Sequence, residues 1–407
     1  MKKVLIISYS FPPHNEIASR RYAEMCPYFS ENGWEPYVLT TLSNGDIEVP
    51  LQNDQLIRVG VHPGLNLHIK KNKNIKSYIA DFRRKLGFVF RVFDSALFNW
   101  SNQIITSSEV LQIIKEKDFD LIIASYGPSS VLRIGSYLGS RLNIPVIYDF
   151  RDLASLHESE GYYQNWIAKK IDIFFEKRYL NKRAGIITVS KGLAEKIEQV
   201  YKEDVAVIYN GWSDQVNSSL YKLPTTEKYL YYAGRFYNRQ MKAIFLIIDA
   251  LVDVNYELVI RSLGPVGLEE QILAYVKEKG LADRVKILPK APATVIDFET
   301  KNAVINVVIE SLEKKFKSER GILTGKFLQL LTYQSPVLAV ARDDSEIGEI
   351  LNDTGKGKLC STTTEIKNFF KIHSNVEDKL NSKNISKYSK KEQVKILVQY
   401  MNKKIEA

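Results

Sequence analysis

The chain has 407 residues and a formal charge of +10; that length suits two domains rather than one core. No run of about 18 to 20 uncharged apolar residues offers a membrane span. Two cysteines, Cys26 and Cys360, are too few and too far apart for a disulfide framework or a cysteine metal site; with the positive balance they describe a cytoplasmic protein with anionic partners.

Along the chain, short apolar runs alternate with helix-like segments. The opening MKKVLIISYSFPP reads as a first buried strand, because its apolar run is too short for a signal-peptide core and no small-residue cleavage site follows. Strands are expected at 4–8, 36–40, 120–125, 145–150, 185–190 and 205–210, and again at 229–234, 256–261, 285–288, 304–309 and 336–341. Near-continuous apolar strands indicate parallel sheets covered on both faces by helices. Two such series predict an α/β protein of two facing Rossmann-like, doubly wound domains. The polar, aperiodic stretch 209–228, with Gly211 and Pro224, is the expected joint. The domains are then 1–212 and 225–388, and 389–407 forms a last helix with Val394, Leu397 and Met401 on one face.

In open α/β sheets ligands bind beyond the carboxyl ends of the strands, so chemistry is sought there. After the first strand come Ser10, His14, Arg20 and Arg21, near Pro12-Pro13. After the fourth come Asp149, Arg151, Asp152 and His157: Asp149 and Arg151 either brace the loop, or an Asp or His157 holds a hydroxyl proton. Asp118-Phe119-Asp120 precedes a strand, at the wrong end for a ligand, and reads as a turn.

In the second series Gly234 permits a tight turn, and Arg235 and Arg239 bracket it. A guanidinium there can hold phosphate oxygens in bidentate fashion or simply face water. Further on, Thr324 is expected to cap a helix starting at Gly325, so that free amides and Lys326 face an anion. The Walker spacing, G-x-S-x-G, G-x-G-x-x-G after the first strand and zinc-ligand spacing are all missing, which disfavours nicotinamide chemistry, triad hydrolysis and a resident metal. The stretch 68–100 carries eight basic residues against two acidic ones, with apolar residues at helical spacing. It fits either an acidic membrane surface or a core-packed helix with a solvated basic face. Nucleic acid is not an expected partner.

The ordered set FPP, DFRDL, GIITVSKGLAEKI, VIYNGWS, YAGRFYNRQ, TGKFLQLLTYQSPVLAV and SEIGEILNDTGKG resembles a bacterial glycosyltransferase of the GT-B fold, family 4-like. The resemblance implies an enzyme that transfers a sugar from a nucleotide-diphosphate sugar to a saccharide or lipid-linked saccharide, as in surface polysaccharide biosynthesis. It implies retention of configuration, no metal or other cofactor, and a last helix crossing back to the first domain. The second domain would hold the donor and the first the acceptor. Gly234, Arg239 and Lys326 match the family's diphosphate contacts, with Arg239 and Lys326 carrying catalysis. Gln329 stands where the family usually has a ribose-binding Glu, and Gly321 where many members carry another Glu. Glu310, ending a strand, could compensate for Gln329. Arg235, Thr324 and Gly325 complete the donor-side set, and Ser10, His14, Arg20, Asp149, Asp152 and His157 the acceptor-side set. A non-catalytic binding subunit of a polysaccharide assembly complex and a nucleotide-sugar epimerase are the alternatives.

Overall fold

The computed structural model describes residues 1–61, 95–156, 166–180, 183–213, 221, 223–225, 227–262, 267–315, 317–373 and 382–406. These form two compact units, Met1–Asn210 with Lys390–Ala407, and Gly211–Ser389.

The first unit holds, among the described residues, the strands β1 (Lys2–Ile7), β2 (Trp34–Leu42), β3 (Leu56–Val61), β4 (Leu121–Ser125), β5 (Val146–Phe150), β6 (Gly185–Thr188) and β7 (Val205–Val207). All pair in parallel, in the order β3-β2-β1-β4-β5-β6-β7. The connecting helices are α1 (Arg20–Phe29), α2 (Ser95–Thr106), α3 (Ser108–Lys117), α4 (Ser130–Leu142), α5 (Trp166–Tyr179) and α6 (Lys191–Tyr201). Side chains alternate across a strand, so β1 feeds two cores. Leu5 and Ile7 join Leu39, Ile122, Ile134 and Leu138 on one face. Val4 and Ile6 join Met25, Phe29 and Val38 on the other.

The second unit holds β8 (Tyr229–Gly234), β9 (Glu257–Ser262), β10 (Val285–Leu288), β11 (Ile305–Ile309), β12 (Val337–Val340) and β13 (Gly357–Cys360), again parallel, in the order β10-β9-β8-β11-β12-β13. Its helices are α7 (Met241–Leu251), α8 (Leu268–Glu278), α9 (Ala293–Asn302), the single turn α10 (Phe327–Leu330), α11 (Glu346–Thr354) and α12 (Thr363–Ile372). The last helix, α13 (Lys390–Glu406), returns to the first unit. There Val394, Leu397, Val398 and Met401 complete the second of its two cores.

Among the described residues two strands escape the sequence reading, β3 and β13, and both lie at sheet edges. An edge strand is packed on fewer sides, so its apolar run is broken: Arg58 and Gly60 interrupt β3, and β13 is the tetrapeptide GKLC. Gly357 is required there because a Cβ would meet the Val337 carbonyl.

Candidate active site

In the second sheet the connections run outward in opposite directions from β8 and β11, which lie side by side. Their carboxyl ends are the topological switch point, where doubly wound sheets take ligands. Several titratable groups gather there. Gly234 ends β8, and a Cβ on it would meet the Tyr232 hydroxyl at 2.7 Å. That hydroxyl donates to the Arg235 carbonyl at 3.1 Å and so shapes the turn. Gln240 sets the next turn: its Oε1 accepts from the Tyr237 amide at 3.0 Å, and its Nε2 donates to the Ile309 carbonyl at 2.8 Å. The loop after β8 is thereby tied to the end of β11.

Arg239 lies in this loop. Its guanidinium sits 5.0 Å from the Tyr237 ring centre, and Nη2 lies 3.8 Å from Oε2 of Glu310, the residue just past β11. Both Arg239 Nε and Glu310 Oε2 are buried without a hydrogen-bond partner. Orphaned charged groups are costly, so this pair is the candidate point of contact with a ligand. Burial raises the Glu310 carboxyl to about 7 against the opposing pull of Arg239, and the charge of Glu319 raises it further. Burial also raises the Glu319 carboxyl, while Arg239 and Arg342 pull it down. Glu319 and Arg342 are the members the sequence reading left out. Arg342 carries the same signal as Arg235, a basic residue just beyond a strand end. Its guanidinium grips Asp344 at 2.6 and 3.0 Å.

The Thr324-Gly325-Lys326 turn differs from expectation. The helix begins at Phe327, not Gly325; Lys326 is its N-cap, with no side-chain cap. Thr324 takes part through its carbonyl, which accepts from the Phe327 amide at 3.0 Å. Gly325 and Lys326 form a turn, and a helix of one turn has little macrodipole, so the charge offered here is that of Lys326 itself. Lys326 is exposed, and partial desolvation lowers its pKa. Gln329 is engaged: Oε1 accepts from the Ser213 amide at 3.2 Å and Nε2 donates to the Ser213 carbonyl at 3.1 Å. A carboxylate could not make both bonds, which is a physical reason for Gln where a Glu is expected. Gly321 is buried at the end of the turn that bears Glu319.

In the first unit β1 and β4 are the strands at the switch point. Ser10 Oγ donates to Glu16 at 3.3 Å, and His14 Nε2 lies 3.3 Å from the same carboxylate. Asp149 is fully buried. Its carboxylate accepts from Arg21 at 3.0 and 3.2 Å, Tyr22 at 2.8 Å and Ser125 at 3.2 Å. It is therefore a brace beneath the loops rather than an acceptor-facing group, and Arg21, not Arg151, is its partner. Arg151 donates instead to the carbonyls of Tyr126 and Ala18 at 3.0 and 2.8 Å. Arg20 lies on the exposed face of α1 with Glu24, 3.3 Å away, off the strand-end site expected of it. Asp152 accepts from the Leu153 amide at 2.7 Å and shapes a local turn. His157 and the basic residues of 68–100 lie outside the described residues.

Residues 18–215 match the model of Glycosyltransferase Family 4. The match spans most of the first unit, which therefore carries a Glycosyltransferase Family 4 domain. Among curated proteins none matches the sequence. Among solved structures the chain resembles sucrose-phosphate synthase from Thermosynechococcus elongatus, with 17% identity, a TM-score of 0.60, and 100% of this chain and 97% of that one covered. It also resembles the lipopolysaccharide outer core galactosyltransferase WaaB in its apo form, with 13% identity, a TM-score of 0.59, and 99% and 100% covered. Anabaena HepE in complex with UDP and glucose is similar at 14% identity and a TM-score of 0.56, with both chains fully covered. The fold of the enzyme is GT-B, as its two parallel sheets already indicate.

Proposed function

We propose that the enzyme transfers a sugar from a nucleotide-diphosphate sugar, held by the second unit, to a saccharide or lipid-linked saccharide in surface polysaccharide biosynthesis. The observation that supports this reading best is the pair of orphaned buried atoms, Arg239 Nε and Glu310 Oε2, at the β8/β11 switch point. A diphosphate there would give Arg239 the bidentate partner it lacks. Lys326, on the turn after β11, would supply a second cation. HepE, a structural neighbour, has been solved with UDP and with UDP-glucose.

In this reading Arg239 and Lys326 stabilise the charge that develops on the leaving diphosphate, work that needs no metal when two cations are already in place. Glu310, half-protonated near neutral pH, would accept from or donate to a donor hydroxyl. Ser10, His14 and Asp152 would face the acceptor. Retention of configuration follows from the family resemblance. Peripheral attachment at the inner face of the membrane through 68–100 is part of the same proposal.

Thermal melting with UDP, GDP, ADP and TDP tests the donor site. A ligand at 100 times its dissociation constant adds about 2.7 kcal/mol, and Arg239→Ala and Lys326→Ala are each expected to abolish most of that shift. No stabilisation by any nucleotide would refute the reading. The engagement of Gln329 with Ser213 favours the second reading, a binding subunit without turnover. Stabilisation without nucleotide release on any acceptor extract would select it.

A further inference from the structure

Helix α5 packs Ile173 and Tyr179 against the core, yet its fully buried positions are small or acidic. Along WIAKKIDIFFEKRY the buried positions are Ala168, Asp172 and Glu176, whereas Trp166, Ile167 and Phe174 are 66%, 52% and 63% exposed. A helix on a sheet ordinarily turns its aromatics inward and its acids to water. Here the rotation is held the other way by hydrogen bonds to the acid. Glu176 accepts from the Ser155 amide at 3.1 Å, from the Ser155 hydroxyl and from the Tyr201 hydroxyl at 2.9 Å. Burying a carboxylate while leaving a Trp and a Phe in water is unfavourable in isolation, so the outward face is the feature that requires a reason.

That face is also basic. Trp166, Lys170, Phe174 and Lys177 follow one another at helical spacing, with Ile167 and Arg178 alongside. Lys170, Lys177 and Arg178 are exposed, and the Lys170 ammonium lies 4.7 Å from the Trp166 ring centre. Both acids of the helix point inward, so the outer face carries positive charge alone among its ionisable groups. Aromatic and aliphatic side chains interleaved with cations match the boundary between anionic headgroups and acyl chains: the rings enter it and the cations meet phosphates.

We propose that the outer face of α5 docks on an anionic lipid surface and holds the first unit against it. The occupant is a bilayer rather than a protein groove because the charge is of one sign and the apolar residues alternate with it instead of forming a continuous stripe. The surface acts whatever the donor sugar, so nucleotide stabilisation and membrane docking can fail separately.

The test is flotation of the full chain with phosphatidylcholine vesicles, with and without phosphatidylglycerol, at low and high salt. Binding is expected only with the anionic lipid and should weaken with salt. Trp emission should shift to the blue, and Trp166→Phe should remove that shift, because Trp34 and Trp100 are already buried and the half-buried Trp212 belongs to the second unit, its indole donating to the Ile385 carbonyl at 2.9 Å. Replacing Lys170 and Lys177 by Glu should lower vesicle partition by at least about tenfold, and Phe174→Ser should also weaken it. The first unit's own melting transition should stay unchanged in each variant, which reports its folding. Replacing Lys70, Lys71, Lys73 and Lys76 by Gln should leave the Trp166 shift in place. Vesicle binding untouched by the α5 variants would overturn the proposal. So would a dimer in solution that Phe174→Ser dissociates, since the face would then seat a second copy.

Discussion

The carboxyl of Glu310 is poised so that ligand binding changes its protonation. Burial holds it at about 7, with Arg239 opposing. A diphosphate that engages Arg239 removes that opposition and adds negative charge nearby, so the bound state takes up a proton. The folded pKa is raised, hence the ionised form is the strained one, and affinity falls as pH rises through 7. Titrating UDP from pH 7 to 9, where its own phosphate is fully ionised, should show a loss of up to tenfold per pH unit, the limit for one proton. Glu310→Gln should flatten that slope; an unchanged slope in the variant would remove Glu310 from the site. A second residue-scale prediction concerns Gln329. Gln329→Glu places a carboxylate against the Ser213 carbonyl and loses one donor, so it should destabilise the second unit by about 1–3 kcal/mol. Tighter nucleotide binding by this variant would instead show that the position still serves the ribose. The sequence located both residues through their place beyond a strand or within a motif. It could not disclose Ser213 as the partner of Gln329, because that pairing joins positions far apart in the chain.

At the scale of elements, strands buried on both faces were legible because their composition is set by burial. The edge strands β3 and β13 were not, since one open side let Arg58 and Gly60 interrupt β3 and left β13 as the tetrapeptide GKLC, whereas the edge strands β7 and β10 kept a readable apolar run. Helix α5 shows the opposite limit. Its pattern alone suggests an inward aromatic face, and only the donors Ser155 and Tyr201, from other segments, reveal the rotation. That rotation has a pH signature. Burial raises Glu176 to about 7, although Ser155 and Tyr201 lower it. A carboxyl raised above its unfolded value gives its full stability below about pH 4.5, and that contribution is lost as pH rises through about 7. The loss is about 3 kcal/mol by the size of the shift. In Glu176→Gln the amide cannot ionise, so its stability relative to the parent should rise between pH 5 and 8. Denaturant midpoints across that range measure it, and parallel curves for the two proteins would refute the assignment.

At the scale of the whole molecule the first unit is discontinuous: it closes only when α13 arrives after the entire second unit. The side chains of Val394, Leu397, Val398 and Met401 are buried in the first unit's core. Hydrogen bonds anchor the helix along its length. Gln393 accepts from the Tyr209 amide at 2.8 Å, Asn402 from the Trp34 indole at 3.2 Å, and Tyr400 donates to the Ile186 carbonyl at 3.3 Å. Burying each apolar side chain contributes about 1.5–3 kcal/mol, so four together rival the net stability of a domain, about 5–15 kcal/mol. A chain ending at Ser389 should therefore lose the cooperative melting of the first unit and become protease-sensitive within residues 1–210. The second unit keeps its own core around Leu230, Ile260, Ile305 and Leu338, and with it Arg239, Glu310 and Lys326. Its transition should survive and still rise with nucleotide. Limited proteolysis with mass spectrometry, beside calorimetry with and without UDP, separates the two units. Retention of both transitions in the shortened chain would show that α13 is dispensable to the first core.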